Sequence, residues 1–126
     1  MSMNEDSMQC ITIAANAAND MKATNIVAID VSDSLALTEA FLIASGSNPR
    51  QIIAISEEIE KQIFLQFHRK PLSREGISEA QWILLDFGDF VIHVMDTEAR
   101  DFYGLEKLWE DCPRLEIELE NPEETE

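Results

Sequence analysis

The hydrophobic period of the chain changes sharply at residues 45–49, Ser-Gly-Ser-Asn-Pro, and this change restricts the fold more than any other feature. Residues 26–29 and 40–44, which precede it, are short apolar runs typical of strands covered on both faces. After it, apolar residues recur at steps of three and four, which predicts a helix with one buried face. Asn48 can cap that helix and Pro49 suits its first position. The apolar stripe comprises Ile52, Ile55, Ile59, Ile63 and Phe67.

The remaining segments complete an α/β pattern. Residues 7–22 predict an amphipathic first helix, capped by Asp6 or Ser7. The short connection between the first two strands favours an antiparallel pair, and the loop from Pro71 to Gly76 can hold a short edge strand. Residues 82–95 predict a hairpin, after which Thr97 can cap a final helical segment that runs to Trp109. We therefore expect a mixed β-sheet of about five strands with helices packed against it.

The formal charge of −16, from 9 basic and 25 acidic residues, repels nucleic-acid phosphates and anionic lipids. Direct sequence-specific binding to nucleic acid and binding to a membrane are both disfavoured. The same charge attracts basic proteins, although on its own it is also accounted for by solubility. Cys10 and Cys112 stand in no metal-ligand spacing, and the acidic N-terminus is unlike a signal peptide. We expect a cytoplasmic protein.

Gly46-Ser47, at a strand-to-helix junction, could hold a phosphate in the way that nucleotidyltransferases do. Such enzymes also need closely spaced carboxylates for Mg²⁺, usually with one residue between them. Asp30 and Asp33, like Asp86 and Asp89, are three residues apart, a spacing that suits turn capping. A nucleotidyltransferase-like enzyme is therefore an alternative, and no metal or cofactor is expected. His93, within an apolar run, is interpreted as a neutral, hydrogen-bonded core residue.

Residues 100–109 are rich in large aromatic side chains, which are typical anchors of interaction sites. Burial as a terminal helix explains them equally well, because Leu105, Leu108 and Trp109 share one side. Trp82, at the start of a strand, poses the same question.

These segments resemble the ribosomal silencing factor family, also called Iojap-like proteins, over approximately residues 8–112. The most specific parts are the hairpin with Trp82 and His93 and the segment that contains Tyr103, Glu106 and Trp109. The matching blocks, in order, are residues 26–30, 38–46, 75–76, 82–95 and 100–109.

The resemblance implies a nucleotidyltransferase-like topology without the catalytic acids. It also implies binding to the large ribosomal subunit at large-subunit ribosomal protein fourteen, which would sterically block joining of the small subunit. Translation would then fall when nutrients are scarce, and immature large subunits would be kept from joining early. No bond is made or broken, so the chain is not expected to be an enzyme. A homodimer is a further expectation, and a self-associating α/β module is the remaining alternative.

Residues 1–113 form the domain that the resemblance covers, and residues 114–126 form an acidic C-terminal extension that departs from the family pattern. The alternation over residues 115–120 can form an edge strand, but a solvated tail is the favoured interpretation. The resemblance assigns no contact residue directly. His93 and Trp109 are interpreted as structural. The partner-binding hypothesis comprises Trp82, Asp86, Gly88, Asp89, Tyr103 and Glu106.

Overall fold

A computed structural model describes residues 4–120. The sheet has the order β3-β4-β5-β2-β1-β6, in which β2 and β5 are parallel and all other neighbours are antiparallel. The predicted mixed sheet is confirmed, with a sixth, two-residue strand added. The elements are α1 Glu5–Asp20, β1 Thr24–Asp30, β2 Ala40–Gly46, α2 Pro49–Phe67, β3 Ser73–Glu75, β4 Trp82–Asp86, β5 Phe90–Asp96, α3 Thr97–Tyr103, α4 Leu105–Leu108 and β6 Arg114–Leu115.

The two central strands are the most deeply buried parts of the sheet. Every residue of β2 is buried, and β5 is buried except at its last residue. Two parallel strands need a long connection, which α2, β3 and β4 provide here. Since both faces of these strands are covered, their sequences are almost continuously apolar.

The helices divide unequally between the two faces of the sheet. Helices α1 and α2 cover one face, where Ile83 and Leu85 of β4 join a large core. On the opposite face, which we call the open face, Trp82 and Leu84 lie beside a smaller cluster. Only two short helices, α3 with seven residues and α4 with four, follow on that side within residues 4–120. The period-two alternation of β4 therefore directs Trp82 away from α1 and α2.

Two helix starts differ from the sequence prediction. Helix α1 begins after Asn4, whose side chain accepts a hydrogen bond from the Asp6 amide, so neither Asp6 nor Ser7 is its cap. Helix α3 is capped by Asp96, and Thr97 is already helical. The final helical segment is also broken at Gly104, where a φ of 57° ends α3. Helix α2 starts after Asn48 with Pro49 in its first turn, as predicted.

The solvated-tail interpretation is wrong for residues 114–120, which we call the strap. Strand β6 pairs with β1, and Leu115, Ile117 and Leu119 pack against the core beneath α1 and α2. Asn16 fixes the end of the strap, because its side chain accepts from the Glu120 amide at 2.6 Å and donates to the Glu118 carbonyl at 3.2 Å. The predicted edge strand is thus present at Arg114–Leu115. Residues 121–126 of the predicted extension lie outside the described residues.

Candidate functional site

Three aromatic side chains form a continuous patch at one end of the open face. The ring centroid of Trp82 lies 5.0 Å from that of Tyr103, which in turn lies 5.0 Å from that of Phe102. Trp82 is half-buried, whereas Tyr103 is 58% exposed and Phe102 81% exposed. We call Trp82, Phe102 and Tyr103 the aromatic patch. The end of α3 and the start of β4 thereby place two of the predicted site residues, Trp82 and Tyr103, in direct contact.

His93 lies beneath the aromatic patch and supports Trp82. The indole Nε1 of Trp82 donates a hydrogen bond to His93 Nδ1 at 3.0 Å. Burial lowers the pKa of His93 to about 4, so the imidazole is neutral near pH 7 and Nδ1 is free to accept. Phe41 packs edge-on against both His93 and the partly buried Trp109, at 5.0 and 5.3 Å between centroids. These contacts agree with the structural interpretation of His93 and Trp109.

Glu106 is held by Arg100, a buried arginine for which no role was predicted. Arg100 is only 5% exposed, and its guanidinium donates to both carboxylate oxygens of Glu106 at 2.9 and 3.1 Å. The same guanidinium donates to Ser45 Oγ in β2 at 2.7 Å. Hydrogen bonding from Arg100 outweighs partial burial and lowers the pKa of the Glu106 carboxyl. Arg100 therefore fastens α3 and α4 to the centre of the sheet.

Asp86 and Gly88 lie at the other end of the hairpin from Trp82. Trp82 pairs with Met95, whereas Asp86 pairs with Val91, so about 13 Å of strand separates Trp82 from Asp86. Asp86 Oδ1 accepts a hydrogen bond from the Gly88 amide at 2.8 Å. Gly88 has a φ of 94°, a conformation that favours glycine. Both residues thus shape the turn, in agreement with the turn-capping interpretation of Asp86.

Asp89 ties the same turn to the helices. Its carboxylate accepts from Arg69 at 2.6 and 3.2 Å and from Ser7 Oγ at 2.5 Å. Burial raises the pKa of Asp89, but the hydrogen bonds from Arg69 and Ser7 outweigh it, and the net pKa is lowered. The six residues of the partner-binding hypothesis therefore do not form one cluster: Trp82 and Tyr103 touch, Glu106 lies on the adjoining α4, and the other three lie at the turn.

The residues of the nucleotidyltransferase alternative are far apart. Gly46 ends β2, whereas Asp30 pairs with Ala40 at the beginning of β2, and Asp86 also lies toward that end. The six residues from Ala40 to Gly46 correspond to roughly 20 Å. Within residues 4–120, no group of three or more His, Cys, Asp or Glu side chains could hold a metal ion.

Gly46 and Ser47 are explained by packing. A Cβ atom at Gly46 would lie 2.9 Å from Ile52 Cγ1 in α2, so glycine permits the close approach of helix and strand. The Ser47 amide and hydroxyl both donate to Gln51 Oε1, at 2.7 and 3.0 Å. Asp30, similarly, accepts from the amide and hydroxyl of Ser32. These polar groups are bonded within the chain rather than directed at a phosphate.

Across the described part of the chain, no helix is both long and apolar enough to cross a membrane.

The whole described region is similar to proteins of one family. The family model described as "Ribosomal silencing factor during starvation" matches residues 4–126, and so includes the strap. Proteins named ribosomal silencing factor from Bacillus subtilis and Halalkalibacterium halodurans are each 37% identical to this chain. These matches cover 93% and 87% of this chain, and 97% and 93% of the respective relatives. A solved structure of a Chromobacterium violaceum protein superposes with a TM-score of 0.76 at 30% identity, covering 87% of this chain and 88% of that one.

Two relatives from eukaryotes carry other names. The chloroplastic Iojap protein of Zea mays is 31% identical over 90% of this chain and 50% of its own length. A mouse protein named for mitochondrial assembly of the ribosomal large subunit is 36% identical over 69% of this chain and 39% of its own length. The match of the family model over nearly the whole chain, together with the shared fold, shows that this protein belongs to the ribosomal silencing factor family.

Proposed function

We propose that this protein binds the large ribosomal subunit through large-subunit ribosomal protein fourteen and thereby blocks joining of the small subunit. Its membership of the ribosomal silencing factor family supports this proposal. The name of the mouse relative refers to assembly of the ribosomal large subunit. It supports the large subunit as the partner and a role in maturation of that subunit. The block represses translation when nutrients are scarce. It is steric and needs no catalysis, and it takes place in the cytoplasm.

The aromatic patch is the observation that carries the proposal. Two of its members, Phe102 and Tyr103, are largely exposed in a chain with a charge of −16. Adjoining exposed aromatic side chains are typical of the anchors that supply most of the binding energy at protein interfaces. We place Trp82 and Tyr103 at the centre of the interface and Glu106 at its border. Asp86, Gly88 and Asp89 would contact the partner where the interface extends along β4 to the turn.

The charge of this protein favours a protein surface over ribosomal RNA as the immediate contact. A net charge of −16 attracts a basic protein and repels the phosphates around it. Charge complementarity of this kind mainly accelerates association and weakens as salt rises. The aromatic patch, by contrast, depends on close packing and supplies affinity at the interface.

Co-sedimentation with purified large subunits tests the proposed surface. We expect Trp82→Ala and Tyr103→Ala each to weaken binding by about 10-fold or more, as for anchor residues elsewhere. Phe64→Ala is the matched control, since Phe64 is a 41% exposed aromatic residue on α2, away from the open face. Circular dichroism and thermal unfolding establish that each variant is folded. If folded Trp82→Ala and Tyr103→Ala bound as well as the wild type, the aromatic patch would not be part of the interface.

Two further measurements test the partner and the outcome. Isolated large-subunit ribosomal protein fourteen should retain the wild-type protein and the Phe64→Ala variant on a column, but retain Tyr103→Ala poorly. In sucrose gradients, added wild-type protein should lower the yield of joined ribosomes from separate subunits, and Trp82→Ala should lower it less. Binding to large subunits without any effect on joining would contradict the steric mechanism.

A further inference from the structure

We propose that His93 is a positioning residue whose Nδ1 atom fixes the orientation in which Trp82 is presented to the binding partner. This inference rests on the proposed function, because it assigns His93 a part in recognition without any contact to the partner. His93 is 5% exposed and lies beneath the aromatic patch.

The hydrogen bonding of His93 is unusual for a core residue. Its Nδ1 atom accepts from Trp82, so the proton of the neutral imidazole resides on Nε2. Among the buried side-chain nitrogen and oxygen atoms that the structure describes, only His93 Nε2 has no hydrogen-bonding partner. A buried donor without an acceptor destabilises a fold, and an apolar side chain of similar size would avoid that cost. Packing alone therefore does not explain a histidine at position 93.

The single hydrogen bond of His93 supplies an explanation. In the β4–β5 register His93 is opposite Leu84, two residues from Trp82 on the same face, so its ring reaches the indole diagonally across the hairpin. The ring centroids of Trp82 and His93 are 5.9 Å apart, and the ring centroid of Tyr103 lies 5.0 Å from that of Trp82. A half-buried tryptophan near the end of a strand has more than one accessible rotamer. The acceptor at Nδ1 selects the rotamer that brings the indole into contact with Tyr103.

Two substitutions separate the acceptor from the shape of the side chain. His93→Leu removes the acceptor while keeping a similar volume, and we expect it to weaken large-subunit binding by about 3- to 10-fold, the equivalent of one hydrogen bond. His93→Asn returns an oxygen to the position of Nδ1 and should restore binding to within about twofold of wild type, although it leaves a smaller core side chain. Loss of binding in both variants to the same extent, with both folded, would overturn the proposal.

A third comparison tests whether His93 acts through Trp82. Trp82→Phe keeps an aromatic ring but has no N–H to donate. On that background His93→Leu should cause no further loss of binding, because the two residues form one coupled pair. Additive losses would show that His93 acts by another route.

Nuclear magnetic resonance tests the inference without the ribosome. With Trp109→Phe used for assignment, the Nε1 proton of Trp82 should move upfield and exchange faster with solvent in His93→Leu than in the parent. The ¹⁵N shifts of His93 should show a protonated Nε2 and an unprotonated Nδ1. A protonated Nδ1, or an unchanged Trp82 resonance in His93→Leu, would overturn the inference even if that variant binds weakly. Unchanged binding by Trp82→Ala would instead refute the proposed binding surface and leave the spectroscopic result standing.

Discussion

Trp82 Nε1 lies 3.0 Å from Nδ1 of His93, so the half-buried member of the aromatic patch is hydrogen-bonded to a residue of the sheet core. The contact joins β4 to β5. It also connects the aromatic patch, which we propose for recognition, to the core of the sheet. Its acceptor exists only while His93 is uncharged. Protonation of the buried His93 ring should therefore lower the stability of the domain and also loosen Trp82 in the aromatic patch.

Acid should destabilise the protein through His93. Burial lowers the pKa of this group from 6.5 to about 4, so as the pH falls below 6.5 the unfolded chain takes up a proton that the folded chain does not. The free energy of unfolding should therefore fall between about pH 6.5 and 4, by roughly 3 kcal/mol in total at this site. Urea denaturation at several pH values measures this slope. His93→Leu should lack this part of the slope, and an identical pH dependence in variant and wild type would contradict the assignment.

The Asp89–Arg69 pair should also lose stability in acid, but in a lower pH range than His93. Because the pKa of Asp89 is lowered on folding, its contribution is fully present above the ordinary carboxyl pKa of 3.8 and is lost as the pH falls through the folded value. Asp89→Asn should cost ~1–2 kcal/mol of unfolding free energy at pH 7, since both partners are only partly buried. The difference from wild type should shrink below about pH 4. Urea midpoints at pH 7 and pH 3 test this, with the exposed Asp101→Asn as control.

Arg100 should be more sensitive than its partner Glu106. Arg100→Met removes the guanidinium that spans Ser45 and Glu106, and we expect it to cost ~2–4 kcal/mol because the site is buried. Glu106→Gln keeps one acceptor on a side chain that is 31% exposed, and should cost ~1 kcal/mol. Hydrogen exchange of the α3 amides should accelerate in Arg100→Met while the α1 amides stay protected. Equal exchange in α3 of both variants would argue against a fastening role.

The strap should stabilise the domain through its apolar residues. Replacing Leu115, Ile117 and Leu119 together with Ser removes side chains that pack against the core and should loosen the pairing of β6 with β1. We expect a loss of ~2–4 kcal/mol and, because an uncovered strand edge can pair with another chain, increased self-association. Thermal unfolding and light scattering at two protein concentrations measure both effects.

The matched control for the strap replaces Glu116, Glu118 and Glu120, whose side chains are exposed, with Ser. The bonds from Asn16 to this stretch involve only backbone atoms of Glu118 and Glu120 and should persist. The control should therefore unfold near the wild-type temperature. Similar losses in the two triple variants would show that residues 114–120 do not stabilise the domain by packing, and would favour treating residues 114–126 as a separate extension.

Local signals accounted for much of the fold. The start of α2 at Asn48-Pro49 and the β4–β5 hairpin depend on capping, a fixed φ and a short turn, all of which are encoded by neighbouring residues. The pairing of the strap with β1 was not predicted, because it depends on β1 having a free edge on the side away from β2. That edge exists only in the assembled strand order. The alternation of apolar residues over 115–120 is equally compatible with either state.

The candidate site was less predictable for a similar reason. The contact between Trp82 and Tyr103 joins residues that are distant in sequence and follows from where α3 ends over β5 and β2. Asp89 and Trp82 stand on the same hairpin, yet Asp89 is taken up by Arg69 and Ser7 from two other elements. Only one signal in the sequence pointed to Arg100. It stands six residues before Glu106, and Gly104 between them can turn the chain so that the two side chains meet.

The parallel pairing of β2 with β5 also sets the order in which the chain can fold. Ala40 meets Phe90 across fifty residues, whereas the turn between β4 and β5 spans only residues 87–89. Closing the long loop loses more chain entropy than closing the short turn. The β4–β5 hairpin can therefore form early, and the pairing of β2 with β5 follows later. During synthesis, β2 therefore remains an unpaired apolar strand on one side until β5 has left the ribosomal tunnel, and the centre of the sheet is completed only then.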